Sequence, residues 1–171
     1  ALWALRGQCR RRRRNPALCL MAARRWYWWL SGSVIVLDQV TKFLAETLLT
    51  FHQPVPVLPS FNLLLTYNTG AAFSFLAGAG GWQRWFFLGL GLLVSIGLIV
   101  WLRRLKPTET RLAAALALIL GGAIGNLIDR AWLGQVIDFI QLYYQHWYWP
   151  AFNLADSAIT VGAALLVLDS L

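Results

Sequence analysis

The chain has 171 residues, of which 58% are hydrophobic and 13% are charged, and its mean hydropathy is +0.57. This composition is too apolar for an ordinary soluble domain and is typical of an integral membrane protein. The net charge is +8, and most of it comes from eight arginines within the first 25 residues. We interpret this cluster as a cytoplasmic anchor to anionic lipid. Nothing else in the chain supports nucleic-acid binding, so no nucleic-acid partner is expected.

The N-terminal part of the chain divides at Met21, which is the only methionine. A short basic stretch and then a long apolar run follow it. We therefore expect residues 1–20 to be a basic leader outside the functional fold, and residues 21–171 to form a single integral membrane domain.

Four hydrophobic segments follow one another along the chain. Each has close to the roughly 20 residues that cross a bilayer core as a helix, the form that pairs every backbone group within the segment. They are residues 26–49, residues 85–102, residues 112–128, and a last run from about residue 150 to the end. The pattern predicts an all-α membrane protein built as a bundle of four transmembrane helices.

The basic residues predict how this bundle is oriented. The short connection between the second and third segments carries Arg103, Arg104, Lys106 and Arg111. Short loops rich in lysine and arginine face the cytoplasm. The N-terminus, this loop and the C-terminus are therefore expected on the cytoplasmic side, and residues 50–84 and 129–150 on the outer side.

The two outward segments differ in character. The first contains three prolines and then a β-favouring run at residues 61–67, which predicts short strands on the membrane surface. The second is rich in tyrosine and tryptophan over residues 143–149. We interpret it as an aromatic belt at the bilayer interface.

Charged and amide side chains inside the apolar segments are the candidates for function, since they are costly there. Asp38 and Lys42 are four residues apart on the first helix, which predicts an ion pair with a structural role. At the end of the third helix, Asn126 lies three residues before Asp129 and four before Arg130, so the three can share one face.

The fourth segment repeats the spacing of asparagine and aspartate. Pro150 is predicted in the first turn of the helix, and Asn153 again precedes Asp156 by three residues. With a rise of 1.5 Å per residue, Asp156 is expected roughly 6–9 Å inside the helix start.

These carboxylates suggest the chemistry of two acids that share one proton. Asp156 is the firmer member, and its partner is either Asp129 or Asp138. The neighbouring Arg130 predicts a structural ion pair for Asp129. Asp138 has apolar neighbours and no basic neighbour, so burial should raise its pKa, as suits a group that is protonated in part of a cycle. This ranks Asp138 first and leaves Asp129 open.

Two other classes of function are compatible with buried carboxylates. One is a small transporter or proton channel, in which such groups are common. The other is an assembly subunit whose glycines and aspartates only pack helices. The polar residues cluster at the outer ends of the helices and do not form a path across the bilayer, which disfavours transport.

Five sequence boxes resemble those of bacterial lipoprotein signal peptidase, also called signal peptidase II, an aspartyl peptidase family. They are DQVTK at 38–42, YNTGAAFS at 67–74, GGAIGNLIDR at 121–130, VIDF at 136–139 and FNLADSA at 152–158. The resemblance covers about residues 26–168, and the boxes occur in the family's order.

The resemblance implies an endopeptidase of the bacterial inner membrane. It would remove the signal peptide of prolipoproteins just before a cysteine that carries a diacylglyceryl group. Asp138 and Asp156 would be the catalytic pair at the periplasmic face. The implied substrate-site residues are Asn68, Gly70, Asn126, Arg130 and Asn153. Asp38, Lys42 and Asp129 would be structural.

The resemblance also implies further properties. The fold would add to the four helices a small periplasmic β-sheet and a short helix at the interface. Membrane lipids and globomycin-type peptide inhibitors are expected to bind, and the chain is expected to act as a monomer. No metal ion or other cofactor is expected.

Overall fold

The computed structural model describes residues 26–70 and 80–171. The predicted leader at residues 1–20 and the end of the second box at residues 71–74 lie outside the described residues. Within the described part of the chain, helices and strands follow one another in this order: α1 (Trp26–Leu48), β1 (Val55–Leu58), β2 (Phe61–Asn68), α2 (Trp82–Arg104), α3 (Thr110–Trp132), β3 (Val136–Tyr144), β4 (Trp147–Tyr148) and α4 (Leu154–Ser170).

Helix α3 is the centre of the bundle, because it packs against α1, α2 and α4. Its buried face is made largely of alanine, glycine and leucine, and such small side chains let helices approach closely. An apolar core joins α3 to α1 and α2 through residues such as Tyr27, Leu102 and Leu116.

Glycines bring the backbones of α3 and α4 into direct contact. A Cβ atom added to Gly122 would lie 2.3 Å from the carbonyl oxygen of Ala155, and one added to Gly162 would lie 2.7 Å from that of Ala115. Neither neighbour is a flexible side chain, so no larger residue fits without moving a helix. This close packing sets where α4 begins relative to α3.

The outward faces of the helices are apolar. Phe43 on α1 and Leu93 on α2 are 65% and 68% exposed, and many large apolar side chains beside them are exposed as well. Contiguous apolar surface of this kind is rare on soluble monomers. Among the described residues, α2 and α3 are long and apolar enough to cross a membrane by length and composition. The four helices lie where four apolar segments were predicted, whereas four crossings remain a prediction.

The small sheet is antiparallel, with strand order β1-β2-β3-β4. Both outward segments contribute to it, since β2 pairs with β3 so that Thr66 lies opposite Asp138. The strands expected near residues 61–67 are confirmed. Interpreting residues 143–149 only as an aromatic belt was incomplete, because the same outward segment, with its β-branched and aromatic side chains, also forms β3 and β4.

The start of α4 differs from the prediction. Phe152 pairs with β3: its N–H donates to the carbonyl oxygen of Ile140 over 3.0 Å, and its own carbonyl accepts from the Ile140 N–H over 2.8 Å. This pairing keeps the chain extended through residue 152, so Pro150 lies outside the helix and Asn153 is the N-cap. Asp156 is therefore only about 3–5 Å inside α4, at 1.5 Å per residue.

The implied short interfacial helix is not among the helices of residues 26–70 and 80–171.

Replacing Gly122 by alanine should destabilise the fold by about 1–3 kcal/mol, the usual cost of overpacking, because the added methyl group would meet the backbone of α4. The measurement is the thermal unfolding of the purified protein in detergent. Gly97→Ala is the matched control, since nothing lies within 4 Å of its added Cβ and alanine favours helix by up to about 1 kcal/mol. Equal stability of the two variants would contradict the close contact of α3 with α4.

Candidate active site

The two ranked acids come from different elements that meet at one end of the bundle. Asp138 lies on β3, and Asp156 lies in the first turn of α4. The pairing of Phe152 with Ile140 draws the start of α4 against β3. Asp138 and Asp156 are thus brought to one site between the sheet and α3, although they lie on different elements.

Asp138 is almost fully buried, with 3% of its surface exposed. Its Oδ1 accepts a hydrogen bond from Nδ2 of Asn153 over 2.7 Å. The side chain of Asn68 also hydrogen-bonds this carboxyl. Because Oδ1 of Asn68 accepts from the Gly70 N–H over 2.9 Å, the amide NH₂ of Asn68 is the group that faces Asp138.

Asp156 is half-buried and is held by the second asparagine of the site. Nδ2 of Asn126 donates to its Oδ1 over 2.7 Å. The backbone N–H of Asp156 donates to Oδ1 of Asn153 over 2.9 Å. Asn153 thus caps α4 and binds Asp138 with the same side chain, which links the two acids.

The amide of Asn126 has only one favourable orientation. Its Oδ1 accepts from Nζ of Lys42 over 2.9 Å and lies 3.2 Å from Nδ2 of Asn153. A flipped amide would place its NH₂ against an ammonium group and its oxygen against the Asp156 carboxylate. The contacts therefore aim the NH₂ group of Asn126 at Asp156.

Lys42 is buried, with 1% of its surface exposed. Its Nζ lies 2.8 Å from a carboxylate oxygen of Asp38 and 2.8 Å from one of Asp129. The predicted pair of Asp38 and Lys42 is confirmed. The expected structural ion pair of Asp129 forms, but its partner is Lys42 and not Arg130, because consecutive helical residues do not face each other. Asp129 is occupied by Lys42 and by Nε2 of Gln39, which donates over 2.9 Å.

Arg130 turns towards the loop after β2. Its Nη2 donates to the carbonyl oxygen of Gly70 over 2.8 Å, and its guanidinium group lies 5.3 Å from the ring centre of Phe87. All five residues expected in the substrate site surround the acids. They are Asn68, Gly70, Asn126, Arg130 and Asn153. The asparagines among them hold the two carboxyls, and contact with a substrate remains a prediction.

A cleft of about 280 Å³ opens beside Asp138. Strand β2, strand β3 and the segment after β4 form its walls. The residues around it include Thr66, Asn68, Asp138, Gln141, Trp149 and Pro150. Its walls combine polar and aromatic side chains next to a buried carboxyl.

Three residues of the site were not predicted as site residues from the sequence. Gln39 donates a hydrogen bond to Asp129, and the ring of Phe87 lies against the guanidinium group of Arg130. Arg84 donates to the carbonyl oxygens of Arg130 and Ala131 over 3.1 and 2.8 Å. A signal existed for Arg84, which is the only charged residue between Glu46 and Arg103. No sequence spacing indicates Phe87.

The environment of Asp138 favours its protonated form. Burial is the main reason that its pKa rises to about 7, and the charge of Asp156 raises it further. The hydrogen bonds from Asn153 and Asn68 and the charge of Lys42 act in the opposite direction. Asp138 is therefore an acid that can keep its proton up to near neutral pH.

A buried acid beside a cleft and a half-buried acid near it, at one end of an apolar helical bundle, are typical of a membrane protein with a functional site at that end. The family model described as Signal peptidase (SPase) II matches residues 30–171. The chain belongs to the signal peptidase II family and is a bacterial membrane protein.

Curated relatives agree with this assignment. The lipoprotein signal peptidase of Pseudomonas aeruginosa is 58% identical over 143 residues, which cover 82% of this chain and 85% of the relative. That of Pseudomonas putida is 55% identical over 157 residues, which cover 91% of each chain. That of Acinetobacter baumannii is 58% identical over 144 residues, which cover 83% of this chain and 82% of the relative.

Solved structures share the fold. Two bacterial membrane enzyme structures, determined in meso at 2.3 and 1.9 Å resolution, match with TM-scores of 0.74 and 0.73 at 29% and 30% identity. The first match covers 84% of this chain and 85% of the other, and the second covers 85% and 92%.

Asp138 should make the folded state less stable as pH rises from about 4 to about 7. The pKa of this group is higher in the folded chain than its ordinary value of 3.8, so the folded state binds its proton more tightly and loses that advantage on ionisation. The full effect is at most about 4 kcal/mol. The measurement is the thermal unfolding midpoint in detergent against pH. Asp138→Asn should flatten this dependence, and an unchanged slope would contradict the assignment.

Proposed function

We propose that the chain is an aspartyl endopeptidase that removes signal peptides from prolipoproteins before the lipid-modified cysteine, with Asp138 and Asp156 as its catalytic pair. The observation that carries this proposal is that asparagine side chains fix both acids through hydrogen bonds. Asn153 binds Oδ1 of Asp138, and Asn126 binds Oδ1 of Asp156. Each acid is thus held through its Oδ1 by an asparagine amide, which fixes both carboxyls for work on a water and a substrate.

The substrate class rests on the family and on the setting of the site. The relatives are named lipoprotein signal peptidases. A precursor with a diacylglyceryl group on its cysteine would keep its acyl chains in lipid while its peptide enters the cleft beside Asp138. The apolar outer faces of the helices and the exposed aromatic residues Trp147 and Tyr148 favour a site at the membrane surface.

The first chemical step is the attack of water on the scissile carbonyl carbon. Asp156 is the ionised member that takes a proton from the water, since the first turn of a helix favours a negative charge. Asp138 is the protonated member that gives its proton to the carbonyl oxygen. This forms the new C–O bond and a tetrahedral intermediate.

The second step breaks the C–N bond. The protonated Asp156 donates to the leaving amine, and Asp138 takes back the proton of the intermediate's hydroxyl as the carbonyl re-forms. The pair returns to its starting state with one proton. Acid–base assistance of this kind contributes typically about 10²–10⁴-fold to the rate.

The arrangement in the membrane follows from the charges. We place all four helices across the bilayer, the N- and C-termini and the loop at Arg103–Arg104 in the cytoplasm, and the sheet with both acids at the periplasmic face of the inner membrane. The basic loop supports this orientation. We take the monomer as the active form, membrane lipids as its surroundings and globomycin-type peptides as its inhibitors.

Asp138→Asn and Asp156→Asn should each abolish cleavage, because neither amide can exchange the proton that the mechanism needs. The measurement is the mobility shift of a diacylglyceryl-modified precursor on a gel, with the purified variants reconstituted in lipid. Both variants should remain folded, since asparagine has nearly the same shape as aspartate.

Asp169→Asn is the control, because Asp169 is an exposed acid on the same helix as Asp156. It should cleave like the unchanged chain. Normal processing by either Asp138→Asn or Asp156→Asn would overturn the catalytic assignment.

The cleavage rate should fall as pH rises above about 7. Asp138 is protonated below this pH, and the mechanism loses its acid when that proton leaves. The measurement is kcat/KM for the precursor over a pH series that brackets neutrality, since this quantity reports the groups of the free enzyme. A rate that keeps rising well above pH 7 would contradict the role of Asp138 as the acid.

A further inference from the structure

Two buried aspartates outside the acid pair make equivalent contacts. Oδ1 of Asp38 accepts the backbone N–H of Ala155 over 2.9 Å, and Ala155 immediately precedes Asp156. Oδ2 of Asp129 accepts the backbone N–H of Ile137 over 3.2 Å, and Ile137 immediately precedes Asp138. Each accessory carboxylate thus holds the backbone beside one catalytic acid.

The two carboxylates are joined by one ammonium group. Nζ of Lys42 lies 2.8 Å from Oδ2 of Asp38 and 2.8 Å from Oδ2 of Asp129. A continuous chain of contacts therefore runs from the backbone beside Asp156, through Asp38, Lys42 and Asp129, to the backbone beside Asp138.

We propose that Asp38, Lys42 and Asp129 form a bridge that sets the spacing between the two catalytic acids. This inference rests on the proposed peptidase function. The three are positioning residues, because they act through the backbone of β3 and α4. The same Lys42 also directs Asn126 towards Asp156, so it fixes both the place and the orientation of that acid.

The packing of α3 leaves room for the Asp38 carboxylate of the bridge. A Cβ atom on Gly125 would lie 2.5 Å from Oδ2 of Asp38, so only glycine leaves α3 open to this carboxylate. Burying an ion pair gains little stability over apolar packing. The contacts that these charges make beside both acids are therefore better explained by positioning than by stability.

Asp129→Ala tests the bridge at one arm. It removes the acceptor of the Ile137 N–H and leaves Lys42 paired one-to-one with Asp38. The kcat for the diacylglyceryl-modified precursor should fall about 10²-fold, the size of effect that a displacement of about 1 Å causes. The KM should stay within about twofold, because the cleft walls are unchanged.

Asp129→Asn separates positioning from direct chemistry. Its side-chain oxygen can still accept from Ile137, so its kcat should stay within about tenfold of the unchanged chain, since partial positioning is kept. Asp138→Asn, which removes a catalytic group, should show no cleavage in the same assay. Loss of all activity in folded Asp129→Asn would overturn the proposal, since Asp129 would then be needed as an acid.

Ser31→Ala is the matched control for a buried polar contact between the same two helices. Oγ of Ser31 donates to the carbonyl oxygen of Ala117 over 2.8 Å, far along α1 from Lys42. It should leave kcat unchanged after correction for the folded fraction. A kcat within twofold of the unchanged chain for folded Asp129→Ala, or a loss equal to that of Ser31→Ala, would overturn the bridge.

Failure of the bridge and failure of the function have different signatures. If the unchanged chain does not cleave the precursor, the proposed function is wrong. If it cleaves and Asp129→Ala cleaves equally well, the function stands and the bridge is wrong.

Discussion

The buried ammonium group of Lys42 is the interaction on which the rest of the site depends. It is shared by Asp38 and Asp129 and by the amide oxygen of Asn126. Without this cation, two carboxylates would lie buried with no compensating charge, which is costly in a protein interior. With it, helix α1 is tied to the end of α3, and through the backbone N–H of Ala155 to the start of α4. The charge of Lys42 therefore supports both the packing of these helices and the site of the two acids.

Two asparagines connect Lys42 to the two acids. Asn153 serves three purposes at once, since it caps α4, binds Asp138 and contacts Asn126. The result is a pair of acids with unlike surroundings. Asp138 is enclosed by β3 and its neighbours, whereas Asp156 sits at the open N-terminal end of a helix. Unlike surroundings are what allow two identical groups to act as acid and base.

The sequence predicted much of this and missed the rest for physical reasons. Long apolar runs located all four helices, and the spacing of Asp38 and Lys42 predicted their ion pair. Strand β3 was not foreseen, because its aromatic end also fits a membrane interface. The partner of Asp129 was misassigned, because Arg130 is adjacent in sequence but faces elsewhere. The late start of α4 depends on the pairing of Phe152 with Ile140, a contact between distant residues that no local pattern reveals.

Infrared difference spectroscopy of the carboxyl groups is the most direct test of whether Asp138 is protonated. We expect the C=O stretching absorption of a protonated carboxylic acid near neutral pH, lost as pH rises through about 7. This band should be missing from Asp138→Asn and retained in Asp169→Asn. A band that persists in Asp138→Asn, or no protonated carboxyl at neutral pH in the unchanged chain, would contradict Asp138 as the protonated acid.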